Sequence, residues 1–320
     1  MGQGILKRNS LPHLFALKIE LRLPLCRRKE AGVQYQMKTN NCVTVSSEVF
    51  VMKQYILARK TEVAKMDRKY GVCVIKRLIV PASILFAVVM IALGIACYVI
   101  SSDTVISNQI EIWIDACQYV DFFLPLALCI VFVPFIFVQN SNGFIQYASI
   151  RANRRKYISS QMICIMILVF IGTVIAYDLP LVFSLTALKP QAVGNRNDLL
   201  GYVWGKYQVY HPYLFGFAWC MWKGVVAMLF TMFGCLLALY IDHLFVAVLL
   251  PFLYCMGENL VTALLQIPQY SIMTSYVLNR LSPSCMRVWH YMVGVGTFTI
   301  FASGVIFVLK RRKQDGVSKG

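Results

Sequence analysis

Few side chains in this sequence could carry out catalysis, and those that could are not grouped. The 320 residues contain no GxxxxGK[ST] phosphate loop, no GxSxG nucleophile elbow and no HExxH zinc motif. The cysteines are scattered singly without a CxxC pair, and the four histidines are far apart, at His13, His211, His243 and His290. We therefore expect no catalytic residue and no metal site. If the chain moves a solute, the energy must come from a gradient or from another polypeptide.

Glu258 is the acid that the sequence places deepest within an apolar stretch, between Gly257 and Asn259. A carboxylate inside a membrane is costly unless it is paired or hydrated, so it often marks a functional position. The alternative is that Glu258 caps a helix at the outer interface, and both interpretations stay open at this point. Asp121 and Asp178 are interpreted as residues at the outer ends of spans.

One short polar loop, QNSNGFIQYASIRANRRK, at residues 139–156, ends in a cluster of basic side chains. All of its charges fall in its last six positions, at Arg151, Arg154, Arg155 and Lys156. Short loops that are rich in Lys and Arg stay in the cytoplasm, so the pattern predicts an inward-facing loop.

Long apolar runs on either side of this loop must position it. Hydrophobic residues make up 58% of the chain and charged residues 14%, which is typical of a polytopic membrane protein rather than a soluble domain. We predict an all-α fold with six transmembrane helices and a re-entrant outer helical hairpin before the last span. The predicted spans are Leu78–Ile100, Phe122–Val138, Ile158–Tyr177, Trp219–Tyr240, a fifth run from Leu244 that breaks at Gly257–Asn259 and resumes as Leu260–Ile267, and Val288–Leu309.

The distribution of charge predicts the orientation of these spans. Segments on the predicted inner side hold 25 of the 31 Lys and Arg residues, so both termini are predicted to be cytoplasmic. The net charge of +17 is explained by this bias and does not require a nucleic-acid partner. Lys223, near the outer end of the fourth predicted span, is expected to snorkel outward. The predicted organisation is a basic N-terminal region with amphipathic helices at 1–77, a six-span domain at 78–313 and a cytoplasmic tail at 314–320.

Two stretches resemble the permease subunits of type 2 ABC transporters, especially the peptide-export or immunity branch of Gram-positive bacteria. The first is NGFIQYASIRANRRKYISSQ between the second and third spans, with its Gly and aromatic start and its basic cluster before Tyr157. The second is YIDHLFVAVLLPFLY, with a short polar turn, an apolar run and then Pro251-Phe252. The long N-terminal region departs from the family, whose members usually begin with a short amphipathic helix.

The resemblance implies that the loop forms a coupling helix, which docks in a groove of a separate ATPase subunit. The candidate contacts are Asn142, Gly143, Phe144, Tyr147, Ile150, Arg151 and Arg154, and the candidate substrate pathway includes Glu258 and Asn259. It also implies a second permease subunit, identical or related, with ATP and Mg²⁺ bound by the ATPase partner and no cofactor in this chain. The expected location is a bacterial cell membrane, and the expected activity is export of an amphipathic peptide or a lipid-like molecule.

Three alternatives remain open on the sequence alone. The basic cluster could serve only to orient the spans, and the chain could be a membrane sensor or assembly protein without transport activity. A gradient-driven carrier is expected to show paired charges within the membrane or repeat symmetry, and neither is evident from the sequence. A disulfide between Cys117 and Cys285, both near predicted outer ends, is also left open.

Overall fold

The structure is a computed structural model that describes residues 76–102, 105–106, 108–143, 154–189, 192–193 and 197–317. The predicted N-terminal helices, at 11–25 and 48–69, lie outside these residues. The described helices are α1 Lys76–Ser102, α2 Gln109–Asp121, α3 Leu124–Ser141, α4 Arg154–Thr186, α5 Asn197–Leu200, α6 Gly205–Tyr210, α7 Pro212–Tyr240, α8 Leu244–Leu264, α9 Ile272–Tyr276 and α10 His290–Val317. Two-residue strands, β1 Val105–Ile106 and β2 Ala192–Val193, pair in parallel.

Six of these helices, α1, α3, α4, α7, α8 and α10, are long and apolar enough to cross a membrane. The prediction of an all-helical, multi-pass membrane protein with six candidate spans is therefore confirmed. Apolar runs of this length are read directly from the sequence, because each span must satisfy its own backbone hydrogen bonds and present apolar side chains to lipid.

Helix α7 is the centre of the bundle. In its most apolar 18-residue window 67% of the residues are buried, against 11% for α10. Glycines allow the neighbouring helices to approach it closely. A Cβ added to Gly224 would lie 2.8 Å from the ring of Phe170 on α4, and one added to Gly234 would lie 2.7 Å from Val133 on α3.

Two predicted boundaries on the outer side are wrong. The third span does not end at Asp178 and Pro180, because α4 continues through both residues to Thr186. The fourth span begins at Pro212 rather than at Trp219, and Pro is a favourable residue in the first turn because no partner is needed there for its missing N–H. The connection between α4 and α7 is correspondingly shorter than the predicted segment of about forty residues.

The predicted break in the fifth span is also misplaced, since α8 is continuous through Gly257–Asn259. The helix ends at Leu264, five residues after Asn259, in a Schellman motif. Gln266 adopts a left-handed conformation with a φ of 58°, Ile267 N–H donates to the Thr262 carbonyl at 2.9 Å, and Gln266 N–H donates to the Ala263 carbonyl at 3.1 Å. The re-entrant character of the segment that follows stays a prediction.

The segment between α8 and α10 packs into the protein through α9. All five residues of α9 are buried, and Ser271 caps its first turn by accepting from Met273 N–H at 3.2 Å. Helix α10 contacts this segment closely at its start, where a Cβ on Gly294 would lie 2.7 Å from Ile272 Cα. The short helix thus holds the first half of α10 against the bundle.

Candidate functional site

An ion pair between Asp121 and Lys223 lies in the core of the protein. Asp121 is the last residue of α2 and is 0% exposed, while Lys223 lies on α7 and is 1% exposed. Lys223 Nζ donates to Asp121 Oδ2. Asp121 does lie beside the end of the second candidate span, three residues before α3, but it is buried and paired. The sequence-based expectation that Lys223 snorkels outward is wrong. The physical reason is that α7 starts eleven residues before Lys223, which puts the lysine three turns inside the helix.

Aromatic side chains complete the surroundings of this pair. Tyr177 Oη on α4 donates to Asp121 Oδ1 at 2.7 Å, and Lys223 Nζ lies 4.5 Å from the centroid of the same Tyr177 ring. The ring of Trp113 is 5.7 Å from Lys223 Nζ, and Trp113 Nε1 donates to the Tyr177 carbonyl at 3.1 Å. Tyr276 Oη on α9 donates to the Asp121 backbone carbonyl at 3.3 Å.

The hydrogen bonds and ring contacts of this cluster join four elements, α2, α4, α7 and α9, at one buried ion pair. A buried ion pair is stable only when its remaining polar atoms are hydrogen-bonded, and removal of one partner leaves an uncompensated charge. Any sliding of α4 against α7 must therefore strain or break these contacts. Lys223 lies within the candidate span α7, whereas Asp121 ends α2, which is not a candidate span, so the pair joins a span to the segment that precedes α3.

A second polar cluster ties together the two helices that flank the basic loop. Gln139, near the end of α3, accepts at Oε1 from Gln161 Nε2 at 2.8 Å and from Tyr157 Oη at 3.3 Å. Gln161 is 2% exposed and Tyr157 is 5% exposed. On the adjacent residue, Asn140 Nδ2 donates to the carbonyls of Ala238 and Leu239 at the end of α7, at 3.2 and 3.4 Å. Three spans are thus fixed to one another where the loop begins and ends.

The predicted ATPase contacts fall at and beyond the edge of this cluster. Asn142 and Gly143 form the turn after α3, and Gly143 has a φ of 67°, which favours glycine. Phe144, Tyr147, Ile150 and Arg151 lie outside the described residues. Arg154 is the first residue of α4, but its side chain is not among those described.

Glu258 contacts the start of α9. Its carboxylate accepts from Ile272 N–H at 3.1 and 3.2 Å and from Ser271 Oγ at 2.9 Å. Its neighbour Asn259 accepts at Oδ1 from Arg280 Nη2 at 2.9 Å. These contacts are those of a helix cap, the structural alternative that the sequence left open. A role for Glu258 and Asn259 in a substrate pathway stays a prediction.

Two acids on α2 lie outside the candidate spans. Burial and, to a smaller extent, the negative charge of Glu111 together raise the pKa of Asp115 from 3.8 to about 6. Gln118 Nε2 donates to Asp115 Oδ1 at 3.3 Å. Burial of the Tyr202 hydroxyl raises its pKa, and the negative charges of Glu111 and Asp115 raise it to a smaller extent.

In the described part of the chain, neither a cluster of metal ligands nor a Cys117–Cys285 disulfide is present. No group of three or more His, Cys, Asp or Glu side chains lies close enough there to hold a metal ion. Cys117 is buried and Cys285 is exposed, and neither forms a disulfide. Compared with known proteins, the chain matches no family model, no curated protein and no solved structure.

Proposed function

We propose that this chain is the membrane-spanning permease subunit of an ABC transporter, which exports an amphipathic peptide or a lipid-like substrate. A separate cytoplasmic ATPase, with its ATP and Mg²⁺, supplies the energy, and a second permease subunit completes the membrane part. The chain lies in a bacterial cell membrane with both termini in the cytoplasm. The proposal combines the resemblance of residues 142–161 with the way in which the structure anchors the two ends of the basic loop.

The observation that carries the proposal is the cluster of Gln139, Tyr157 and Gln161. A coupling loop can transmit movement only if the helices on either side move with it, and these hydrogen bonds join α3 to α4 within one turn of the loop. Asn140 adds α7 to the same unit. A displacement of the loop would therefore shift three spans together instead of bending one helix end.

Helix α4 extends from the basic loop to the buried ion pair, so it can transmit this displacement along its length. It has 33 residues, so it is about 50 Å long at 1.5 Å per residue. It carries Tyr157 and Gln161 beside the loop and Tyr177 at the Asp121–Lys223 pair, about 24 Å further along at the same rise per residue. We infer that the contacts of the Asp121–Lys223 ion pair resist movement that begins at the loop, and that this movement proceeds when those contacts break.

Affinity purification of the tagged full-length protein from its native membrane tests the proposal. We expect an ATPase with a phosphate-binding GxxxxGK[ST] sequence to co-purify, identified by mass spectrometry. Phe144→Ala should reduce the recovery of this ATPase because it removes the predicted aromatic anchor. Phe123→Ala is the matched control, since Phe123 is 56% exposed just before the opposite end of α3. Purification without an ATPase, or equal losses in both variants, would overturn the proposal.

A gradient-driven carrier is the second candidate, and the Asp121–Lys223 pair favours it. A charged side chain within a span, such as Lys223 on α7, often marks a pathway for protons or ions. The purified protein alone, in liposomes that contain a pH-sensitive dye, separates the two candidates. Proton flux under an imposed pH gradient, lost in Asp121→Asn, would support the carrier. Its absence, together with a co-purifying ATPase, would support the permease.

A further inference from the structure

A groove of about 330 Å³ lies between α7 and α10. One stripe of side chains from each helix lines it, including Met232 and Leu236 on α7 and Ala302 and Ile306 on α10. The spacing of three or four residues puts each stripe on one helix face. Lys310 lies at the basic end of α10 and is the charged residue among those that line the groove in the described part of the chain.

Among the α10 residues whose burial is described, the buried ones all lie at or before Phe298, and the groove extends beyond this point. Phe298 is 1% exposed, but Phe307 is 54% exposed. The second half of α10 is therefore more exposed than the first, and the groove follows this part of the helix as far as Lys310.

Positive charge is concentrated at the Lys310 end of the groove. Lys310 lines the groove, and the guanidinium carbon of Arg311 lies 4.3 Å from the ring centroid of Phe307, which also lines it. The remaining wall is almost entirely apolar. A ligand that fits must therefore combine a long apolar part with a negative group at one end.

We propose that the groove binds one acyl chain of an anionic phospholipid, whose phosphate headgroup contacts Lys310 and Arg311. An acyl chain has no polar groups to leave unsatisfied, whereas an extended peptide would bring backbone N–H and C=O groups against the apolar wall. Basic pockets beside spans bind anionic headgroups in the same way. This inference does not rest on the proposed function.

Native mass spectrometry of the purified full-length protein tests the site, with phosphatidylglycerol and phosphatidylcholine of identical chains as probes. We expect preferential retention of phosphatidylglycerol, and Lys310→Gln should weaken its binding about fivefold. Arg312→Gln is the matched control, because at 3.6 residues per turn Arg312 points about 200° away from Lys310. It should retain the affinity of the wild-type protein.

A second variant tests the acyl-chain part of the site. Ala302→Trp fills the groove and should reduce retention of both lipids, whatever their headgroup. The proposal is overturned if phosphatidylglycerol is not preferred, or if Lys310→Gln and Arg312→Gln weaken its binding equally. Because Lys310 is exposed, its replacement leaves the core packing intact and the result can be interpreted even if Ala302→Trp does not fold.

Discussion

Replacement of Lys223 by Met removes the positive partner of a carboxylate that is 0% exposed. Breaking a buried ion pair from one side costs about 3–5 kcal/mol, because the other charge is left uncompensated. Asp121 retains the hydrogen bond from Tyr177 Oη, at 2.7 Å. We therefore expect a loss near the lower limit, about 3 kcal/mol, in the free energy of unfolding.

Asp121→Asn should cost a similar amount. It leaves the Lys223 ammonium buried, although the Tyr177 ring at 4.5 Å continues to stabilise this cation. If the two residues were independent, the double variant would lose about 6 kcal/mol. Because the charges are partners, removal of both should cost roughly as much as removal of either one, a coupling energy of about 3 kcal/mol.

Unfolding by SDS in mixed micelles, followed by circular dichroism, measures all three free energies in one double-mutant cycle. Thr231→Val, a buried substitution two turns along α7 from Lys223, is the control for general damage to that helix. It should add its effect to that of Lys223→Met without coupling. A coupling energy below about 0.5 kcal/mol between Lys223 and Asp121 would refute the assignment of a buried pair.

Three further predictions concern stability. Glu258→Ala should cost about 1–2 kcal/mol and accelerate proteolysis between α8 and α10, because it removes the acceptor for Ile272 N–H; unchanged cleavage would contradict the capping role. Gly294→Ala should cost about 1–3 kcal/mol in SDS unfolding through overpacking against Ile272, whereas Gly304→Ala, with open space around it, should stay within about 0.5 kcal/mol of wild type. Since the pKa of Asp115 is raised on folding from 3.8 to about 6, its contribution to stability is greatest below pH 3.8 and falls as the pH rises to about 6. In a plot of thermal stability against pH, Asp115→Asn should reduce the slope over this pH range. An unchanged slope would contradict the raised pKa of Asp115.

The spans could be predicted from the sequence because their signal is local. A run such as Leu78–Ile100 is apolar over its whole length, and α1 encloses it. The ends of α4 and α8 could not be placed in the same way. Pro180 and Gly257 are helix breakers in most soluble contexts, but both lie inside continuous helices here. The residue that terminates α8 is Gln266, two positions after Leu264, and it adopts a left-handed conformation. Glutamine is not a residue type from which this conformation would be predicted.

The buried pair was missed for a different reason. Asp121 and Lys223 are 102 residues apart, and only the packing of α2 against α7 brings them together. One signal was present in the sequence. Pro212 in the first turn of α7 marks a start that would have put Lys223 inside the helix rather than at its end. Similarly, the partners of Glu258 follow a turn whose geometry cannot be read from local residue types.

Site-specific photo-crosslinking in living cells tests the central claim most directly. A photoreactive amino acid at position 147, in the basic loop, should crosslink to a protein that carries a GxxxxGK[ST] sequence, identified by mass spectrometry. The same group at position 119, where Tyr119 is 69% exposed on α2, should not reach that protein. Labelling of position 147 from outside the cell, or crosslinks there to no nucleotide-binding protein, would contradict the account.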